Sequence, residues 1–166
     1  MRKTIVLCIS LCFSFHLFAQ KTMNYGGIYT YNSTDKDSSQ TGLLIICPES
    51  DSTMFFWIHT TIMMPDLQSW GNFGIIKVKD NTGIYYRRTT PEPGGLNMDC
   101  MLSFKFADRK VEVAPVKGHD KCLCYPGTHD YGMFNIKSKE IPKYFIYANR
   151  GTIYFNSAAV KLWEQF

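Results

Sequence analysis

The sequence has few charged residues, few histidines, little helical periodicity and no cluster of positive charge. Charged residues make up 19% of the chain, below the roughly 25% that is usual for globular domains. The lysines and arginines are scattered along the chain and form no stripe. Because nucleic-acid binding needs a clustered excess of positive charge, we do not expect a nucleic-acid partner.

Motifs of catalysis and cofactor binding are also missing. No serine lies in a Gly-x-Ser-x-Gly turn, and no glycine-rich phosphate loop, dinucleotide fingerprint or calcium loop occurs. The acidic residues fall mainly at turns and at outward strand positions, namely Glu49, Asp51, Asp80, Asp99 and Asp108. The sequence therefore predicts no enzyme, no cofactor and no metal, and a hydrolase built on paired carboxylates or on a His–Ser pair is an alternative.

The first 19 residues have the layout of a cleaved secretory signal. Arg2 and Lys3 precede an apolar run that extends to Phe18, and the small residue Ala19 follows. The run is too short for a typical membrane span and no stop-transfer pattern follows it. We expect residues 1–19 to be removed, and residues 20–166 to form a single β-rich domain that is secreted or periplasmic and has no membrane span. Two of the 18 basic residues leave with the signal, so 16 remain against 14 acidic residues, a net charge of +2.

Four cysteines remain after residues 1–19: Cys47, Cys100, Cys122 and Cys124. An even number of cysteines in an exported protein predicts disulfides, here two. A bond between Cys122 and Cys124 would be strained, because one residue separates them. Cys47 and Cys100 are each expected to bond one member of that pair, and the pairing itself stays open. Zinc sites have different cysteine spacing, so no metal is expected at "HDKCLCYPGTHD", residues 119–130.

Alternation of apolar and polar residues predicts an all-β fold. Nine or ten short strands are separated by turn-rich stretches, and most neighbours read as hairpins. An antiparallel meander of about 8–10 strands that closes into a small barrel or sandwich would remove exposed edges. The continuous apolar runs "GLLIICP" and "TMFFWIH" indicate strands that are buried on both faces.

The stretch "MDCMLSFKF" shows the alternation most clearly. Leu102 and Phe104 fall on one face, whereas Ser103 and Lys105 fall on the other. A two-residue turn at residues 107–108 would place Phe104 opposite Val111, Leu102 opposite Val113 and Cys100 opposite Pro115.

Two stretches do not follow the strand pattern, and one set of aromatic residues has two possible roles. The stretch "TTIMMPDLQSWG", residues 60–71, has no clear period and reads as a long loop, which either caps the barrel or offers a contact surface. Residues 157–166 place Ala159, Leu162, Trp163 and Phe166 on one helical face, which predicts a short C-terminal helix. Several aromatic residues either fill a small barrel or line a ligand cavity, and filling is favoured: Phe55, Phe56, Trp57, Tyr85, Tyr86, Phe145 and Tyr147.

Three sequence motifs resemble a known type of protein. "YGGIY" in the first strand, "CMLSFKF…VEV…C" in the middle and "YGMF" after it are similar to small secreted β-proteins of the periplasmic lysozyme-inhibitor-like type, over residues 25–137. The resemblance implies a binding protein of the cell envelope, either an inhibitor of a cell-wall hydrolase or an immunity protein that neutralises a toxin. The C-terminal hairpin and helix are additional to the pattern. No short inhibitory loop of the family's kind is identifiable from these motifs.

The residues expected to bind the partner lie in the cysteine-containing loop. A loop held by disulfides loses little entropy on binding. Cell-wall hydrolase clefts carry carboxylates, to which a basic and aromatic loop is complementary. The candidates are Lys117, His119, Lys121, Tyr125 and His129. The leading hypothesis is thus a disulfide-bonded protein that binds another protein, and the alternative is a lipocalin-like carrier of a small apolar ligand.

Overall fold

Every regular element among the described residues is a β-strand. The computed structural model describes residues 24–34, 39–63, 67–87, 99–118, 132–147 and 151–155. Eight strands form a barrel and two form a separate sheet: β1 Gly27–Thr34, β2 Ser39–Pro48, β3 Thr53–Met63, β4 Leu67–Lys79, β5 Thr82–Arg87, β6 Cys100–Ala107, β7 Lys110–Pro115, β8 Gly132–Ser138, β9 Tyr144–Tyr147 and β10 Gly151–Tyr154. The predicted all-β fold is confirmed. The predicted C-terminal helix lies outside the described residues, which contain no helix that could cross a membrane.

Each barrel strand pairs antiparallel with the next strand along the chain, and β8 pairs back with β1. The closing ladder is short. It joins Ile28 to Ser138, Tyr29 to Ile136 and Thr30 to Asn135, with a bulge between Ile28 and Tyr29. The sheet therefore closes as an eight-stranded up-and-down barrel and not as a sandwich.

Successive side chains of a strand point alternately into and out of the barrel, and this alternation decides which of them fill it. In β6 the side chains of Cys100, Leu102, Phe104 and Phe106 are buried, whereas that of Lys105 is exposed. The predicted face of this strand is confirmed for Leu102, Phe104 and Lys105, and Ser103 on the outer face is half-buried. The predicted burial of β2 and β3 on both faces is also confirmed: Ile46 and Phe56 belong to the core, and Ile45 and Phe55 are buried at the alternate positions.

The β6–β7 hairpin has a different register from the predicted one. Its turn consists of Asp108 and Arg109, so Phe104 pairs with Val113 and Leu102 with Pro115. Arg109 adopts φ 65°, a left-handed conformation that lets the chain reverse there. Because the shift is two residues, every side chain keeps its predicted face.

Residues 60–71 were predicted to be a loop, and this is wrong. β3 continues to Met63 and β4 begins at Leu67, with Thr60 paired to Trp70 and Met63 to Leu67. Small polar residues occupy both faces here: Thr60 is buried inside the barrel and Thr61 lies outside. The two faces therefore differ too little in polarity to show a period of two.

The two ends of the barrel differ in their connections. At one end, which we call the closed end, β4–β5 and β6–β7 are joined by two-residue turns and β2–β3 by residues 49–52. Asp80 and Asn81 both have positive φ, as in the tight turns that match strand twist. At the other end, the loop end, the longer connections are residues 88–99 and 116–131.

Truncating the core should destabilise the protein strongly. Phe104 is fully buried, and Phe104→Ala is expected to lower the free energy of unfolding by about 3–5 kcal/mol. Urea denaturation measures the change. Lys105→Ala in the same strand is the matched control, since its ion pair with Glu112 is exposed, and it should change stability by less than about 1 kcal/mol. Equal losses in the two variants would contradict the face assignment.

Candidate functional site

Aromatic rings fill the middle of the barrel. The Phe56 ring lies 4.9 Å, centroid to centroid, from both Tyr85 and Phe104, with an edge-to-face arrangement towards Tyr85. Gly42 also shows how dense the packing is, because an added Cβ would lie 2.8 Å from the Phe134 ring. Side chains of this size fill the interior of an eight-stranded barrel.

Only part of the aromatic set considered for a cavity faces the interior. Phe56 and Tyr85 belong to the core. Trp57 and Phe145 belong to a second cluster on the outside of the barrel, Phe55 is buried at an outward position, and Tyr86 is exposed. The side chain of Tyr147 lies outside the described residues.

The "YGGIY" motif closes one end of the barrel. The Tyr25 ring stacks on Phe106 with centroids 4.5 Å apart, and its hydroxyl donates to Asn81 Oδ1. Tyr29 donates to the Tyr25 carbonyl oxygen at 2.6 Å. Burial, together with nearby Tyr25, raises the pKa of Tyr29 to about 12. Glycine is needed at position 27 (φ 153°), since a Cβ there would lie 2.6 Å from the Ser138 carbonyl oxygen.

Of the predicted partner-binding residues, only Lys117 can be placed. It is exposed and follows β7 at the loop end, in a turn with Gly118, which has φ 89°. His119, Lys121, Tyr125 and His129 lie outside the described residues, so whether the five residues form one surface stays a prediction.

The two described cysteines lie on different faces of the barrel wall. Cys100 faces the core, where Asn72 Nδ2 approaches its sulfur at 3.7 Å, and it is disulfide-bonded. Cys47 lies at an outward position of β2, half-buried, and its thiol is free. The free thiol differs from the expectation that Cys47 shares a disulfide, and the barrel wall separates it from Cys100. Cys122 and Cys124 lie outside the described residues.

A second apolar cluster lies on the outside of the barrel. Phe145 of β9 packs on Trp57 and Phe73, with centroid distances of 5.3 and 5.6 Å, and Ile153 of β10 is buried with them. The sheet of β9 and β10 thus covers the outer face of β3 and β4. Sequence reasoning found this hairpin but not its position. The sequence did show that the outer face of β3 is apolar, and such a face has to be buried by another element.

His59 extends this outer cluster towards the loop end. Its ring stacks on Trp57 at 5.8 Å, and its Nε2 lies 3.0 Å from Ser69 Oγ and 3.4 Å from Thr61 Oγ1. Burial lowers the pKa of His59. In the part of the chain that the structure describes, no carboxylate bonds the other nitrogen, so His59 has no orienting acid of the kind that serine nucleophiles use.

The acidic residues serve turns and surface contacts. Glu49, Asp51, Asp80 and Asp108 are exposed in or beside the turns of the closed end, and Asp99 accepts a hydrogen bond from the Tyr86 hydroxyl at 2.8 Å. Among the described residues, no group of three or more His, Cys, Asp or Glu side chains could hold a metal ion.

Large apolar side chains are concentrated on the outward side of β9 and β10. Tyr144, Ile146 and Tyr154 are 49%, 66% and 54% exposed, and the two tyrosine rings contact each other at 5.8 Å. We call these three side chains the hairpin face. It is the side of the sheet opposite to Phe145 and Ile153, and it is the clearest candidate contact surface among the described residues.

The lowered pKa of His59 predicts a pH-dependent contribution to stability. The unfolded chain binds a proton near pH 6.5, whereas folded His59 does so only at lower pH. Stability therefore falls as the pH drops from about 7 through this window, and His59→Gln should lack that contribution. Urea denaturation of both proteins from about pH 7 to 5 measures the difference. A difference that does not change with pH would contradict the prediction.

The free Cys47 thiol predicts an alkylation pattern. Iodoacetamide without reductant should label Cys47 and leave Cys100 unlabelled, as peptide mass spectrometry can measure. Burial and nearby Glu49 raise the pKa of Cys47, so labelling should be slower than for an exposed thiol at the same pH, because the thiolate is the reactive form. Cys47→Ser is the control for the assignment. An unreactive Cys47 that becomes reactive after reduction would instead show that it is in a disulfide.

Comparison of the chain with protein-family models, with curated proteins and with solved structures finds no match. The inference of function therefore depends on the sequence motifs, on the filled interior of the barrel and on the side chains outside it.

Proposed function

We propose that the protein is exported, loses residues 1–19 and acts by binding another protein at the cell envelope or outside the cell. The barrel would serve as a rigid support, and the contacts would lie on its outside or at the loop end. In this proposal the protein carries out no chemistry of its own.

The location of the apolar residues carries the proposal. The described interior is filled by rings in contact with one another, including Phe56, Tyr85 and Phe104. Exposed apolar side chains lie outside, and Tyr144, Ile146 and Tyr154 share one face. Exposed tyrosines in an apolar patch are typical of protein interfaces.

The partner class follows from the motifs that resemble lysozyme-inhibitor-like proteins. A cell-wall hydrolase is therefore the first partner to test, and a toxin is the second. Lys117 and the cysteine-containing loop that follows it are one candidate contact region.

The lipocalin-like carrier is the alternative that the architecture favours, because eight-stranded up-and-down barrels hold small ligands in other proteins. The aromatic core argues against it, since a ligand would have to displace Phe56 or Tyr85. Among the described residues, a hydrolase is supported only by the contact between His59 and Ser69. That pair has no orienting acid among the described residues.

Inhibition of cell-wall hydrolases tests the proposal. Residues 20–166 in molar excess should slow the clearing of a peptidoglycan suspension by at least one of several structurally distinct muramidases, in a saturable manner. A variant with Lys117, His119 and Lys121 all replaced by alanine tests the loop, provided that its melting temperature is unchanged. No inhibition, together with no protein retained from an envelope extract, would contradict protein binding. Saturable uptake of a fluorescent fatty acid would support the carrier instead.

A further inference from the structure

We propose that the hairpin of β9 and β10 binds an extended segment of a partner protein, which pairs with the edge of β9 and packs on the hairpin face. The inference rests on the proposed function and specifies its partner: a segment with apolar side chains at alternate positions and acidic residues beside them.

The hairpin face is too exposed to be explained by folding alone. Phe145 and Ile153 fix the sheet to the barrel from the other side, so Tyr144, Ile146 and Tyr154 contribute little to that packing. At their exposed fractions, side chains of this size present on the order of 100 Å² each. The patch therefore measures a few hundred Å², the size of the largest apolar patch on a typical monomer, which is often functional.

The edge of β9 offers main-chain hydrogen bonds beside this patch. Phe155 N donates to Lys143 O at 3.1 Å, and bonded and non-bonded pairs alternate in antiparallel sheets. Tyr144 and Ile146, which pair with Tyr154 and Thr152, are thus non-bonded positions whose N–H and C=O groups point away from β10. Within the described residues, no strand pairs with this edge. The same two residues offer backbone groups at the edge and apolar side chains on the face.

The size of the site favours a linear segment over a second copy of the protein. A stable dimer of globular proteins buries about 800 Å² on each partner, more than the hairpin face supplies. Pairing with a strand edge works with a small area, because main-chain hydrogen bonds supply affinity and alternate side chains supply specificity. Pro142 lacks an N–H group and precedes Lys143, which limits pairing to the four residues of β9.

Charge indicates what surrounds the apolar positions of the partner. The exposed side chains on the approach to β9 are Lys137, Lys139, Glu140 and Lys143, three cations and one anion, a net charge of +2. No acidic residue occurs in the sequence from 141 to 156. Acidic residues in the bound segment would be complementary to this surface and would speed association.

Selection from a library of random dodecapeptides against residues 20–166 tests the proposal. Enriched peptides should be acidic, with apolar residues at alternate positions. Tyr144→Ser combined with Ile146→Ser should weaken their binding by roughly tenfold or more, the loss expected when anchoring side chains are removed. Tyr86→Ser combined with Ile84→Ser is the matched control on β5, because Tyr86 is also 49% exposed, and it should leave affinity unchanged. Proline at the central peptide position should also abolish binding, since it removes a main-chain donor.

Amide hydrogen exchange separates strand pairing from contact by side chains alone. The amides of Tyr144 and Ile146 should become protected when a selected peptide binds. The proposal would be overturned if the selected peptides bound the Tyr144/Ile146 variant as tightly as the wild type. It would also be overturned if the two amides stayed unprotected or if no peptide were enriched. Two further results would overturn it: concentration-dependent dimers that the same substitutions abolish, and sedimentation with phosphatidylglycerol vesicles that they abolish. Muramidase inhibition that persists in this variant would overturn only this assignment and leave the proposed function standing.

Discussion

Closure of the sheet between β1 and β8 is the constraint on which the rest of the structure depends. The ladder that closes the barrel comprises three residue pairs and a bulge, so backbone pairing alone holds it weakly. Tyr29, one of the paired residues, is also a core residue, and Phe134 of β8 packs against Tyr31 of β1 at 5.7 Å. The ring-filled interior therefore holds the seam together, and the seam in turn encloses the rings.

This dependence limits where the proposed recognition of a partner would take place. An interior that must stay filled to keep the barrel closed is poorly suited to exchange its contents with a ligand. The outer face is not limited in this way, because substitutions there leave the core intact. In the proposed function, the contacting side chains are therefore expected on the outside of the barrel and in the connections at the loop end.

The hairpin of β9 and β10 covers part of the barrel wall and also carries the proposed contact surface. A two-stranded sheet by itself is marginally stable in water, so Phe145 and Ile153 must pack on Trp57 and Phe73 for it to persist. That packing faces one side of the hairpin towards the barrel and leaves Tyr144, Ile146 and Tyr154 on the other. A separate element thus covers an apolar strip of the barrel wall and also presents an apolar surface of its own.

Some of this architecture was determined by the local sequence, and some only by tertiary packing. The alternation in residues 98–106 fixed the inward face of β6, because a shift by one residue would bury Lys105. It could not fix the β6–β7 register, since a shift by two residues preserves every face. The register depends on the turn, in which Arg109 adopts a left-handed conformation. Residues 60–71 showed no period, because the threonines there suit either side of the wall. Tertiary structure alone decided three features: the position of β9 and β10, the closure of one barrel end by Tyr25, and the exposure of the hairpin face. Each depends on contacts between residues far apart in the chain, which no local pattern encodes.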